Sequence, residues 1–385
     1  ELDLEGRYVD EEEEVGGPDQ DTVIDPLGLG FNADLFGPGA IPGCVPWPPL
    51  DFPGSISCVN PRNPVGITSA KSDDSYFIPK ATLKYSPGEN RMYYFSIGQA
   101  AKPEGIAAVT GGPGAFNPES NRFKREEKTT YEAGGKLTLA DGDVTFNYAL
   151  FYDDYDDKQV STQVIDPGSN LLVPATDNAG AEVWGLELDL AWQATENLYL
   201  RAAYTRLDSE YTDFVQLTRS VGTIAYGGNC SIIVNDPDGT PGNGDEQTVC
   251  GVSFNGNDLE FAPKNSFVGA FRYDLPFNPA GFDWYVEGDG SFTDERFVDA
   301  NNILALQDYW MFNFRAGVTS DNWEVIAYVD NAFDDDTVKE GLNNIDNRYL
   351  AIDTANFGIL VPNGARYLLP DPRTYGVRAT YRFGN

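Results

Sequence analysis

Apolar and polar residues alternate along this chain in short stretches that recur from its first residues to its last. Leu2, Leu4, Gly6 and Tyr8 take every second position; Phe77, Ala81, Leu83 and Tyr85 follow, then Tyr93, Phe95 and Ile97. The same rhythm returns in Tyr131, Ala133, Leu137 and Leu139, and again in Val144, Phe146, Tyr148, Leu150 and Tyr152. It continues in Trp184, Leu186, Leu188, Leu190 and Trp192, and in Leu198, Leu200, Ala202 and Tyr204. Phe267, Phe271 and Tyr273 come next, then Trp284, Val286 and Phe292. Trp310, Phe312, Phe314, Ala316 and Val318 precede Trp323, Val325, Ala327 and Val329. The last is Tyr375, Val377, Ala379, Tyr381 and Phe383. A period of two marks a strand with one apolar and one polar side. The pattern therefore predicts twelve strands and no long helix.

The connections decide which solvent the apolar sides see. Five are short, at 86–90, 140–143, 193–197, 274–281 and 319–322, and they follow every even-numbered strand. Asp141-Gly142 is the strongest tight-hairpin signal among them. The other connections, at about 11–75, 99–128, 155–182, 208–262, 293–307 and 332–372, are long and follow every odd-numbered strand. Soluble domains have no reason to alternate tight turns with long loops, whereas outer-membrane barrels put short turns on the periplasmic side and long loops outside. The aromatic faces are thus expected to meet lipid. The opposite faces carry Lys136, Thr138, Glu187, Asp189, Arg201, Thr205, Asn313 and Arg315. Charges at alternate positions of a spanning strand require a wet or plugged lumen.

Composition narrows the function classes. Asp and Glu number 60 against 26 Lys and Arg, a net charge of −34 over 385 residues. That excludes a nucleic-acid binder acting through a basic surface. Acidity this strong with few aromatics would suggest disorder, but 21 Tyr, 23 Phe and 6 Trp supply an ordered apolar surface. With no His in the chain, Ser-His and Cys-His dyads, His-based metal sites and His ligation of haem are all excluded for these residues. No catalytic residues and no enzyme activity are expected.

Several stretches resemble one family. PRTYGVRATYRF, at the end of the chain, resembles the closing strand of TonB-dependent receptors, and NWEVIAYVDNAFDDD (322–336) resembles their penultimate strand. The hairpins around SPGEN, ADGD and QATEN resemble mid-barrel hairpins of the same family. The resemblance covers nearly every strand and fades in the long loops. It implies an all-β transmembrane antiparallel barrel, of which residues 1–385 form the C-terminal portion: about twelve strands of 22, with the plug domain and TonB box absent. No signal peptide is visible, and residue 1 already lies in an alternating segment, so the chain is expected to be a mature fragment.

The resemblance also implies energised, TonB-dependent uptake of a scarce bulky nutrient such as a siderophore, cobalamin or oligosaccharide, in the outer membrane of a Gram-negative bacterium. The implied partners are outer-membrane lipid and lipopolysaccharide, the TonB complex, the barrel-assembly machinery and the nutrient itself. Tyr381 and Phe383 would serve as the assembly signal, although Gly384 and Asn385 follow where the family ends on its aromatic. A passive porin-like barrel, or an adhesin or structural barrel, is the competing reading of the same strands. A secreted sandwich would instead need the aromatic faces buried.

Other candidate chemistry sits in the long connections. Cys44 with Cys58 and Cys230 with Cys250 form two local pairs, read as disulfides clasping loops in an oxidising compartment, or else as free thiols. Asp236, Asp238, Asp245 and Glu246 offer hard oxygen ligands on a Gly-rich backbone, fitting either a solvated acidic turn or a Ca2+ site, without EF-hand spacing. The acidic runs at 11–14, 153–158 and 334–336 read as a solvated surface, or as a field that gathers cations. Trp47, Phe52, Tyr226 and Phe254 either stack a ligand or pack the loops together.

Overall fold

The computed structural model describes residues 1–19, 22–24, 45–46, 57–59, 66–107, 122–166, 171–218, 231–235, 247–345, 351–353, 358–360 and 363–383. Twelve long strands form one antiparallel sheet in which every strand pairs with its neighbour in sequence. They are β1 (Leu2–Asp19), β2 (Gly66–Gly88), β3 (Arg91–Lys102), β4 (Glu126–Leu139), β5 (Val144–Asp166) and β6 (Leu171–Thr195). The rest are β7 (Leu198–Asp213), β8 (Asn265–Asp274), β9 (Asp283–Thr293), β10 (Tyr309–Thr319), β11 (Trp323–Asp330) and β12 (Thr374–Tyr381). β1 and β12 are the two edges of this sheet. The expected strand number and order are both observed.

Register shows that the apolar sides share one face. Tyr8 lies opposite Phe77, Leu83 opposite Phe95, Ile97 opposite Tyr131, and Leu150 opposite Leu186. Farther along, Trp192 faces Leu200, Tyr273 faces Val286, Phe292 faces Trp310, and Trp323 faces Tyr381. A slip of one residue would carry a strand's whole apolar set to the charged face, so the two-sided chemistry itself fixes the register. Among the described residues nothing packs over the apolar side: Trp192, Phe314 and Tyr381 remain 41%, 37% and 40% exposed. A soluble sandwich would bury rings of this size in a core. The face is built for lipid.

Its vertical pattern agrees. On β6, Trp184 and Trp192 bracket Leu186, Leu188 and Leu190. Eight residues of strand cover about 27 Å, or roughly 20 Å once tilted, close to the height of an apolar membrane band with aromatics at both interfaces. Glycines on this face make room for rings. Gly135 pairs with Tyr148, whose ring carbons fill the space a Cβ would need. On the other face the ring of Tyr285 covers Gly317 in the same way.

One rim carries the tight connections and the other the long ones. Residues 89–90, 140–143, 196–197, 275–282 and 320–322 close the short hairpins. At the second, Asp141 and Gly142 both take positive φ, 55° and 108°, as the Asp-Gly pair suggested. On the long-loop rim the ladders run farther than the alternation indicated. β5 and β6 stay paired to Asp166 and Leu171 past a bulge at Tyr155/Lys158, where a loop over 155–182 was expected. β1 and β2 stay paired through the acidic run, with Glu12 opposite Asp73 and Glu14 opposite Lys71. A strand as long as β5, 23 residues, spans about 75 Å, far more than a bilayer needs. These ribbons therefore project well beyond the membrane band.

The buried apolar cluster lies on that projection. Val160, Ala179, Ala181, Tyr211, Phe214, Val252, Phe254, Leu259 and Ala300 pack together where the ends of β5, β6 and β7 meet residues 251–262 and 298–300. Phe214 sits 5.3 Å from Phe254 and 5.2 Å from Tyr211. The loops thus carry a small water-excluding core of their own, and the wall of the sheet carries none.

Arginine at Leu188, mid-band on the apolar face, is expected to cost about 2–4 kcal/mol, as charged side chains do at a bilayer midplane. Asp189→Asn, one residue away on the charged face, is expected to cost under about 1 kcal/mol. Urea unfolding of both variants in lipid vesicles checks the pair. Equal losses would contradict the assignment of faces.

Candidate functional site

The face opposite the aromatics is a continuous strip of charge along the lumen. Its ladder positions bring opposite signs together. Arg272 lies opposite Glu287, Glu287 opposite Arg315, and Asp289 opposite Asn313. Arg315 bridges two carboxylates, donating to Asp289 Oδ1 at 3.0 Å and to Asp330 Oδ1 at 3.2 Å. Arg272 reaches Glu287 at 3.5 Å and lies 4.0 Å over the ring of Tyr285. Elsewhere on this face Asn147 donates to Asp189 at 3.2 Å, and Tyr94 donates to Glu132. These groups are half-exposed, so each pair contributes only about 0.2–1 kcal/mol. Their arrangement matters more than their strength. A strip of alternating sign stays hydrated and presents both donors and acceptors to whatever fills the lumen. A cavity of about 160 Å³ opens on it between Tyr199, Arg201, Arg272, Glu287, Asp289 and Arg315.

The strip is anchored at the long-loop rim by Asn331, which is buried and takes φ +49°. Asparagine tolerates this left-handed geometry better than other residues with a Cβ. Its amide nitrogen donates to the carbonyls of Asp335 at 2.9 Å and Asp371 at 3.1 Å. Its Oδ1 accepts from the Asp335 backbone at 2.8 Å. Its own N–H donates to Asn313 Oδ1 at 3.0 Å, and Asn313 in turn donates to Asp289 at 2.7 Å. Asn331 thus ties the end of β11 to β10 through its backbone and to the approach into β12 through its side chain. In the sequence Asn331 lies within the stretch 322–336, and nothing local marks it for this role.

A half-buried carboxylate supports the loop core. Glu260 accepts from the Tyr211 hydroxyl and pairs with Lys158 at 3.3 Å. Burial alone would push this carboxyl up, yet the tyrosine hydroxyl and the lysine outweigh it and hold the group below the usual range. A carboxyl held down in this way contributes stability above the ordinary carboxylate range and loses it as pH falls through the folded value.

The site residues expected from sequence fall in three groups. Asp236, Asp238, Asp245 and Glu246 lie outside the described residues, as do Cys44 and Cys230. Cys58 and Cys250 fall on the short strands Ser57–Val59 and Gln247–Ser253, and neither pairing is visible among the described residues. Among those same residues no three His, Cys, Asp or Glu side chains gather as metal ligands. Tyr381 and Phe383 do meet: their rings stack edge to face at 4.6 Å, and Tyr381 lies 4.7 Å from Trp323. Phe254 packs the loop core, while Trp47, Phe52 and Tyr226 lie outside the described residues.

Comparison with known proteins is consistent with this geometry. A family model described as TonB dependent receptor-like, beta-barrel, matches residues 56–332. Over 146 residues the chain is 30% identical to the probable TonB-dependent siderophore receptor PiuA of Acinetobacter baumannii, a stretch covering 37% of this chain and 18% of that protein. The ferric yersiniabactin uptake receptor FyuA of Yersinia pestis superposes with a TM-score of 0.57 at 19% identity, over 83% of this chain and 39% of that one. The crystal structure of PiuA from A. baumannii gives 0.55 at 20% identity, over 81% and 36%. The chain thus spans less than half the length of these receptors.

Asn331→Ala is expected to lower stability by about 1–3 kcal/mol, because two carbonyls and a backbone N–H lose partners inside the rim. Asn331→Gly keeps the left-handed backbone and is expected to recover only part of the loss, read as thermal unfolding in detergent. Tyr211→Phe is expected to speed hydrogen exchange at residues 254–262 while the wall strands are unchanged. Because Glu260 then loses its donor, the wild-type excess protection is expected at neutral pH and to fade on acidification.

Proposed function

The chain belongs to the TonB-dependent receptor family, whose β-barrels sit in the outer membrane of Gram-negative bacteria, and from that premise we propose that it forms the wall of an energised uptake receptor for a siderophore. The family is one of receptors and transporters rather than enzymes. The reading is carried by the family match across residues 56–332 joined to a relative that is itself a probable siderophore receptor. The long-loop rim, with its projecting ribbons and buried loop core, is then the extracellular side, where a ligand first lands. The short-turn rim is periplasmic. The charged strip lines the passage, and its alternating signs suit a moving partner: pairs of half-exposed charges exchange for water at little cost.

Two further roles go with this reading. The TonB complex supplies the work of opening, through parts of the receptor other than this wall. The ring trio of Trp323, Tyr381 and Phe383, exposed at the short-turn end of β12, is the assembly signal read by the barrel-assembly machinery.

Radio-iron uptake by cells carrying the whole receptor tests the proposal. Siderophore-bound iron is expected to accumulate in energised cells and to stop entering when TonB is removed. Uptake that persists without TonB would instead indicate a passive barrel.

A further inference from the structure

The long-loop rim holds a second cavity, of about 890 Å³, between the start of β10 and the short antiparallel pair Glu340–Ile345 and Asn363–Leu368. That volume lies in the range of sites for drug-sized ligands and is far larger than a single inorganic anion requires. Its walls combine the aromatic rings of Phe261, Tyr309 and Tyr367 with three cations, Arg296, Lys339 and Arg366. In a chain of net charge −34 this gathering of positive groups is against the run of the composition.

Two of the cations are held where water barely reaches. Arg296 is nine-tenths buried, yet its Nη1 has no hydrogen-bond partner among the described residues, and neither has Lys339 Nζ. Arg296 spends its other terminal nitrogen on the Lys339 carbonyl, which ties its side chain to the backbone at Lys339. Both lie over the same ring, the guanidinium 5.7 Å and the ammonium 5.1 Å from the centre of Tyr309. Two carboxylates are near: Asp335, 3.4 Å from Lys339 Nζ, and Glu340 in the wall. They offset part of the charge and leave the guanidinium fork unmatched. A buried donor without an acceptor is costly, and a guanidinium is shaped for paired oxygens. Tyr309 stands on the same parity of β10 as Asn313 and Arg315, so the cavity opens above the charged strip.

We propose that the Arg296–Lys339 cavity recognises a net-negative, oxygen-rich iron chelate, with catecholate or carboxylate oxygens meeting the two cations and the aromatic walls covering its flat parts. This rests on the uptake reading above and adds the charge class of the ligand. Neutral chelates, such as ferric tris-hydroxamates, gain nothing from the buried cations and leave the Arg296 guanidinium unmatched.

Binding to the purified full-length receptor in detergent tests this with four probes: a ferric tris-catecholate, ferric citrate, a ferric tris-hydroxamate and iron-free citrate. At least one anionic chelate is expected to bind, more weakly as salt rises, and the hydroxamate at least roughly tenfold less well. Which anionic chelate is preferred identifies the oxygen donor. R296Q and K339Q are each expected to weaken that binding roughly ten- to hundredfold, and R296K by less. Heat-modified gel mobility of each variant shows whether its barrel has folded. Anionic binding that survives R296Q and K339Q, or a preference for the hydroxamate, would overturn the inference while leaving siderophore uptake standing. Arg296-dependent binding of iron-free citrate without any ferric chelate would keep the anion site and reject the uptake reading. Absence of all binding by the anionic probes would overturn the inference itself.

Discussion

Inside a bilayer no water meets an unpaired backbone N–H or C=O, and every other feature of this chain follows from that constraint. A wall of strands satisfies it only if each strand pairs on both sides, so neighbours in sequence become neighbours in the sheet, joined by tight turns on one rim and long connections on the other. The same constraint makes β1 and β12 the demanding positions: their outer edges need partners before the sheet is stable in lipid. Side-chain chemistry then has one degree of freedom left, the choice of face. Leucine, valine and rings take the lipid side, and carboxylates, amides and guanidinium groups take the lumen, with register holding them apart.

Once a strand leaves the apolar band the constraint relaxes, and the protein uses the freedom. Water now satisfies exposed edges, so β1, β2, β5 and β6 run on as narrow ribbons rather than as a wall. Glutamates can sit beside lysine on such a ribbon, as Glu12 and Lys71 do at 2.6 Å. Ordinary burial becomes worthwhile as well. The cluster around Tyr211, Phe214 and Phe254 is a soluble-type core resting on membrane strands, and it stiffens a rim that would otherwise be a set of loose loops. The wall is thus ordered by hydrogen bonding and lipid, and the rim by packing.

This division explains what the residues reveal on their own. Period-two alternation is imposed by two unlike solvents, so it is legible wherever both act, from Tyr8 opposite Phe77 to Trp323 opposite Tyr381. It vanishes at residues 155–166 and 171–182, where the ribbon has left the apolar band and only its backbone ladder continues, and there the sequence suggested a loop. Glu260, Tyr211 and Lys158 form one unit from three distant segments, a meeting that no local pattern announces. Asn331 is legible as part of a familiar run, but its task depends on Asp371, forty residues on. The cavity at Arg296 and Lys339 was silent for the same reason: each residue alone reads as a surface cation.

The central claim is that the aromatic face meets acyl chains, and the tryptophans report on it directly. Trp184, Trp192, Trp284, Trp310 and Trp323 all stand on that face. Fluorescence of the receptor reconstituted in lipids brominated along the acyl chain is expected to be strongly quenched, and replacing these five tryptophans by Phe is expected to remove the quenchable part. Emission indifferent to brominated lipid but extinguished by aqueous iodide would mean that the rings face water or protein, and the account would be wrong.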